Sequence, residues 1–323
     1  MINFIRPKIL YLLSFIAAAA LLVVGVLSAN ATEQEKAALD NDGRIHIVTT
    51  TAHIADLVQN IVGDKARVEA LIGAGIDPHL YRPLRSDIMK LSSADMIFYN
   101  GRHLEGQMVE LLETLGNTKP SIGIGDEMDD LIRAEDGAFD PHLWMDVRNW
   151  NKATDIVTAT LEGQLPTYKE EFTEAANLYK EQLHTLDNEI RQNLAAIPDH
   201  KRVLITAHDA FAYYGAAYDI EVIGIQGIST ASEAGLHQIE AMVDLVSERQ
   251  IPALFAETSV SDQNIKAIIE GVKRKGRDIT LGGTLYSDSL GAADSEAGTY
   301  IGMMRSNTNT IVKALNHTTN LNQ

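Results

Sequence analysis

Eight short runs rich in Ile, Val and Leu, most of them separated by room for a helix, constrain this chain more than any other feature. Four lie in the first half, at 45–50, 68–72, 96–100 and 121–124. Four lie in the second half, at 203–206, 221–225, 252–257 and 279–282. Runs this brief read as strands, and strands that alternate with helices build a parallel sheet covered by those helices. The pattern occurs twice. The expected fold is therefore α/β, with two lobes that are each a mostly parallel sheet flanked by helices.

Between the two sets lies a different object. From Phe172 the apolar positions Ala176, Tyr179, Leu183, Leu186, Ile190, Leu194 and Ile197 advance by threes and fours, with mainly Glu, Lys, Gln, Asn and Asp between them. That is the stripe of one long amphipathic helix. Thr167 and Glu170 have capping-box spacing at its start, and Pro198 marks its end. Over 168–195 such a helix would be about 42 Å long, enough to run across both lobes and join them. Its pattern covers too few heptads for a coiled-coil dimer. The expected plan is a leader at 1–31, a first lobe at 32–165, a connecting helix at 166–198 and a second lobe at 199–323.

The leader is read from Arg6 and Lys8, the apolar run 9–27 and the ending Ala29-Asn30-Ala31. A basic start, an apolar middle and an Ala-x-Ala ending describe a secretory signal cleaved after Ala31. The run also approaches the ~20 residues that span a bilayer, so an uncleaved anchor is the competing reading. The chain has no cysteine, which excludes disulfides, a thiolate metal site and a lipid anchor on cysteine. The expectation is a periplasmic, unanchored monomer. A net charge of −17 repels nucleic acid and anionic membranes, so neither is expected as a partner.

Four segments stand just beyond the ends of expected strands, where open α/β sheets present ligand-binding loops. They are Asp77-Pro78-His79-Leu80, Asp140-Pro141-His142-Leu143, Thr206-Ala207-His208-Asp209 and Tyr286-Ser287-Asp288-Ser289. Taken singly, each has an ordinary explanation as a loop, turn or helix-start residue. Their spacings of 63, 66 and 80 positions differ from the local ligand pairs of zinc fingers and zincin helices. If they meet, two come from each lobe and an ion closes the cleft. Imidazole suits zinc and its first-row neighbours, and one carboxylate offsets part of the charge. Asp77 or Asp140 is placed to order local backbone or to orient the ring nitrogen facing away from the ion. Glu257 ends a strand at the same rim and is a candidate outer hydrogen-bond partner. Trp144 and Tyr81 are expected to pack around the site; His53, which begins a helix and could approach the cleft, and His103 on another strand-end loop are candidates for a place behind the ligands, with surface positions the expectation.

The stretches Gly75–Pro83, Ala94–Gly101, Asp140–Asp146, Leu204–Phe211 and Leu285–Ser289 resemble signature segments of one family. It is the zinc- and manganese-binding solute-binding proteins of ABC importers, the ZnuA/TroA-like group. The resemblance runs from about residue 45 to 315 and implies two lobes joined by one long helix. It places the metal ligands at His79, His142, His208 and Asp288. It further implies one Zn²⁺ or Mn²⁺ carried as cargo, an ABC transporter permease in the inner membrane as partner, and no catalysis. The loop 125–140 holds acids but lacks the histidine run of many zinc-specific members. The third ligand position holds His208 where manganese-specific members commonly have Glu. The sequence thus stands between zinc and manganese. The rival readings are a zinc hydrolase with the same ligands, for which Glu257 is the candidate base, and a surface adhesin.

Overall fold

All eight expected strands are present in the computed structural model, which describes residues 43–134 and 137–316. The expected leader at 1–31 lies outside the described residues. In the first half, β1 (Ile45–Thr51), β2 (Ala66–Ile72), β3 (Met96–Tyr99) and β4 (Ser121–Gly123) form one sheet in the order β2-β1-β3-β4. The β1–β3 and β3–β4 pairs are parallel. β1 reads Ile-His-Ile-Val-Thr-Thr-Thr, a β-branched run buried along nearly its whole length, as expected of a parallel strand covered on both faces.

The second half departs from a single sheet. β5 (Val203–His208) pairs in parallel with β6 (Glu221–Gln226), and β7 (Ala253–Glu257) pairs in parallel with β8 (Thr280–Leu285). β5 and β7 lie side by side but share no backbone ladder. At the end of β5 the His208 N–H is taken instead by the Glu257 side chain at 2.8 Å. β8 carries an irregularity opposite Leu254 and Phe255, and Gly283 there has φ +140°, a conformation L side chains rarely adopt.

The helices are α1 (Ala52–Val62), α2 (Arg85–Ser93), α3 (Val109–Gly116), α4 (Val147–Gln164), α5 (Lys169–Leu194), α6 (Ala212–Tyr218), α7 (Leu236–Arg249), α8 (Gln263–Arg274) and α9 (Tyr300–Asn316). Val48, Leu91, Ile97, Met108 and Leu112 make one core around the first sheet. Ile205, Ile225, Val246, Leu254, Ile265 and Ile268 make another beneath α7 and α8.

The long helix is α5, with 26 residues and a length of about 39 Å. Phe172, Ala176, Tyr179, Leu183, Leu186, Ile190 and Leu194 are all buried along it. Fully burying each large member of that stripe contributes about 1.5–3 kcal/mol. The stripe meets α1 and α4 from the first half and α6 and α9 from the second. The expected Thr167–Glu170 capping box is not formed. Pro166 opens a 3₁₀ turn over Pro166–Tyr168, which puts Thr167 inside a turn rather than ahead of one. The N-cap is Tyr168, whose side chain makes no capping bond.

Aromatic contacts fasten the halves beside this helix. Trp150 of α4 stacks on Tyr300 of α9 at 4.8 Å, and its indole N–H donates to Tyr179 of α5 at 3.2 Å. The Tyr300 hydroxyl donates to the Trp144 carbonyl at 2.7 Å. Among the described residues no helix is long and apolar enough to cross a membrane.

Candidate metal centre

Each of the four strand-end residues is placed by its own local device. The loop after β2 turns at Gly75, with φ +73°, and the Gly75 N–H donates to Ser289 Oγ of the second half at 2.9 Å. One carboxylate oxygen of Asp77 accepts the His79 backbone N–H at 2.8 Å, while the other accepts the Thr230 hydroxyl at 2.5 Å. Asn100, at the end of β3, donates its side-chain N–H to the Pro141 carbonyl at 2.9 Å and steadies the chain next to His142. The 3₁₀ turn Leu143–Met145 then leads His142 into α4. His208 is the last residue of β5, and Asp288 stands three residues past β8.

These devices bring His79, His142, His208 and Asp288 together. One potential ligand atom from each lies within 4.8 Å of all the others. His79 Nε2 is 3.2 Å from His142 Nε2, and Asp288 is 3.5 Å from His142 Nε2 and 3.2 Å from His208 Nε2. A tetrahedral ion with bonds of about 2.0–2.1 Å needs ligand atoms about 3.3–3.4 Å apart. The three short edges are of that scale, the two from Asp288 being made by different oxygens, Oδ1 toward His142 and Oδ2 toward His208. All four side chains are buried, His79 least so at 6% exposure.

The outward nitrogens explain why the inward ones converge. His142 Nδ1 hydrogen-bonds Asp140 Oδ1 at 2.7 Å, and the same oxygen accepts the His142 backbone N–H at 2.9 Å. His208 Nδ1 lies 2.6 Å from Glu257 Oε2. A carboxylate beside Nδ1 favours the proton there and leaves the Nε2 lone pair for an ion. Of the two aspartates considered for this role, Asp140 orients a ring, whereas Asp77 orders the backbone at His79 and holds the Thr230 hydroxyl.

Electrostatics separate the histidines. Burial pushes His79 down to about 3, so its ring is neutral. Burial also acts to lower His208, but Asp288 and Glu257 on either side outweigh it and hold its pKa well above the ordinary value. Asp288 is buried too, yet the three histidines around it, His208 foremost, hold its carboxyl below the ordinary carboxylate range. The two shifts run in opposite senses, favouring the proton on His208 and the charge on Asp288.

Trp144 packs edge-on to His142 at 5.3 Å, and its indole N–H donates to the Ser287 carbonyl at 2.9 Å. Tyr81, expected beside it, packs instead among the first-half core residues and donates its hydroxyl to Asp87 at 2.7 Å. His53, expected at the surface, is buried to 1% and stacks on Trp144 at 5.1 Å. His103 is exposed on its loop, as expected. Ser259 was not anticipated; it donates to Asp288 Oδ2 at 3.3 Å, and nothing in its short polar surroundings marks it in the sequence. Beside the cluster opens a cavity of about 1040 Å³, and His79 is the one ligand candidate of the four that lines it.

Residues 47–314 match the family described as ZnuA, zinc-uptake complex component A, periplasmic. The chain belongs to this family. Within the ZnuA family it is 44% identical over 277 residues to the manganese-binding lipoprotein MntA of Bacillus subtilis, covering 85% of this chain and 90% of that protein. It is 39% identical over 276 residues to the zinc-binding protein TroA of Treponema pallidum, with coverage of 85% and 90%. The solved structure of periplasmic TroA from Treponema pallidum superposes with a TM-score of 0.83 at 38% identity, covering 85% of this chain and all of that one. Another relative is named as the substrate-binding lipoprotein of a metal ABC transporter, so the family is one of substrate-binding proteins working with ABC transporters.

These relatives correct one expectation. MntA and further relatives at 29% and 30% identity are named lipoproteins, which overturns the expectation of a periplasmic protein with no lipid anchor. The missing cysteine removes one attachment chemistry, and an unanchored protein does not follow from that alone.

Proposed function

We propose that this chain captures one divalent first-row metal ion, zinc or manganese, at His79, His142, His208 and Asp288, and delivers it to the membrane permease of an ABC importer. The observation that carries the reading is the convergence of one potential ligand atom from each of the four buried residues within 4.8 Å of all the others, with short edges of 3.2, 3.5 and 3.2 Å on the scale of a first-row coordination shell. The ion is cargo. It reaches the centre past His79 from the adjoining cavity, loses water to three imidazoles and one carboxylate, and bridges two lobes. The lobes are divided by the connecting helix at about 166–198, and the protein acts as a monomer.

Relatives named for manganese and for zinc support both ions. Three imidazoles with one carboxylate favour zinc by intrinsic affinity. The protein is not a hydrolase: catalytic zinc keeps an open position for water, and Asp288 fills the fourth place. Glu257, the one tempting general base, is engaged by the backbone and ring of His208. Calorimetry on metal-stripped protein with zinc and with manganese tests the proposal. One site per chain, largely lost in His208→Ala, is expected; no binding of either ion would end it.

A further inference from the structure

The segment that carries His79 also carries a cluster of uncovered apolar side chains. Among the described residues, eight large hydrophobic side chains stand exposed, and five of them fall between positions 76 and 89: Ile76, Leu80, Leu84, Ile88 and Met89. A single exposed apolar side chain is ordinary, but a cluster points to a surface that another body covers. Leu84 and Ile88 stand four residues apart at the start of α2 and share one face of it. The opposite side of α2 buries Asp87 and Leu91, the latter in the core of the first half. Asp87 also fixes the entry into the helix, accepting the Tyr81 hydroxyl and the Leu84 N–H at 2.7 Å each. The surface is therefore formed before any partner arrives.

Two further observations say what covers it. Arg82 and Arg85 lie exposed within the same run and have no carboxylate partner among the described residues, in a chain whose net charge is −17. The run is also continuous with the candidate metal centre: Gly75 donates to Ser289, Asp77 accepts from Thr230, and His79 stands directly before Leu80. A body resting on Ile76 and Leu80 thus lies beside the least buried of the four ligand candidates. Two cations attract an anionic bilayer only weakly against the repulsion of the whole chain, and two copies of so acidic a chain repel each other. An apolar protein surface edged with carboxylates matches both parts of the patch.

We propose that the exposed face at 76–89 is where this protein docks on the extracytoplasmic surface of the ABC permease, with Leu80, Leu84, Ile88 and Met89 in apolar contact and Arg82 and Arg85 paired with permease carboxylates at the edge. Docking there sets the permease next to His79, where the ion is least covered. This rests on the capture-and-delivery reading above.

The test uses right-side-out membrane vesicles from source cells lacking this chain, preloaded with ATP and supplied with protein carrying radioactive zinc or manganese. Uptake is followed against protein concentration, and calorimetry reports ion binding by each variant. Leu84→Glu and Ile88→Glu are each expected to raise the concentration for half-maximal uptake about tenfold or more, with ion affinity within about twofold of wild type. Arg82→Gln combined with Arg85→Gln should raise it about fivefold and remove most of its dependence on salt. Leu178→Glu, at an exposed apolar position on α5, should behave as wild type. Half-maximal concentrations within about twofold of wild type in both Glu variants would overturn the proposal. Should Leu84→Glu disturb the start of α2, Met89→Glu takes its place. Wild-type dimers that Ile88→Glu disperses, or binding to phosphatidylglycerol vesicles that the double Gln variant abolishes, would give the face to a second copy or to lipid and overturn it equally. Wild type that binds no ion would instead sink the four-ligand reading; wild type that binds ions but drives no uptake would end delivery and docking together.

Discussion

Glu257 grips His208 twice: Oε1 accepts its backbone N–H at 2.8 Å, and Oε2 lies 2.6 Å from its ring Nδ1. One side chain thereby takes a strand-end amide of β5 and turns the imidazole so that Nε2 faces Asp288. Glu257→Gln keeps an acceptor for the backbone N–H but loses the charge behind the ring. Metal affinity is expected to fall about 10- to 100-fold with the fold intact. Unchanged affinity in a chelator competition would show that the ring is oriented by packing alone.

The raised pKa of His208 makes capture a proton exchange. In the metal-free protein His208 holds a proton at neutral pH, and the ion must displace it. Affinity should rise with pH about tenfold per unit for one proton released, for as long as His208 stays protonated without metal. Calorimetry in two buffers of different ionisation enthalpy counts the proton; a count of zero between pH 6 and 8 would refute this. The same pair stabilises the metal-free fold. The His208 contribution is fully present below its unfolded pKa of about 6.5 and is lost as pH rises through its folded value. The Asp288 contribution, from a depressed pKa, is present above the unfolded value and lost as pH falls through the folded one.

Asp288 sits on a segment held to the rest of the centre by a few polar contacts. These include Trp144 to the Ser287 carbonyl, Ser259 to Asp288 and to Ser287 Oγ, and Gly75 and Thr258 to Ser289 Oγ. The stiff α5 resists wide opening, so release is expected through local movement of this segment. Metal should slow amide hydrogen exchange across 280–295; equal exchange with and without metal would place the movement elsewhere.

Asp56 of α1 accepts the Tyr300 N–H at 3.0 Å, linking the first half to α9. Burial pushes its carboxyl up to about 6, against the pull of that hydrogen bond. The folded protein therefore holds the proton more tightly than the unfolded chain, and stability is lost as pH rises from about 4 through about 6. Asp56→Asn keeps an acceptor and removes the charge. It should raise stability at pH 7–8 by on the order of 1–3 kcal/mol and leave it unchanged near pH 4, as read from denaturant midpoints.

The eight strands and the α5 stripe were legible in the sequence because both rest on local pattern. A short run rich in Ile, Val and Leu marks a buried strand, and steps of three and four mark a helix face. Phe172 through Leu194 bury the faces their spacing implies. His79, His142, His208 and Asp288 were legible as strand-end residues, and family resemblance joined them into a set.

Their convergence and their chemistry belong to tertiary structure. Glu257 is 49 positions from His208 and Trp144 is 91 from His53, so no local pattern shows which imidazole is charged, which is neutral or which is buried unpaired. His53 is buried beside the centre and Tyr81 packs with first-half core residues, because burial depends on which residues distant in sequence come to lie over a side chain, as Trp144 does over His53. Likewise β5 and β7 lie side by side without a backbone ladder, and at the end of β5 the His208 amide goes to the Glu257 carboxylate instead. The sequence determined which three histidines and which aspartate stand at the rims. The tertiary structure determined that they meet, with one potential ligand atom of each within 4.8 Å of all the others.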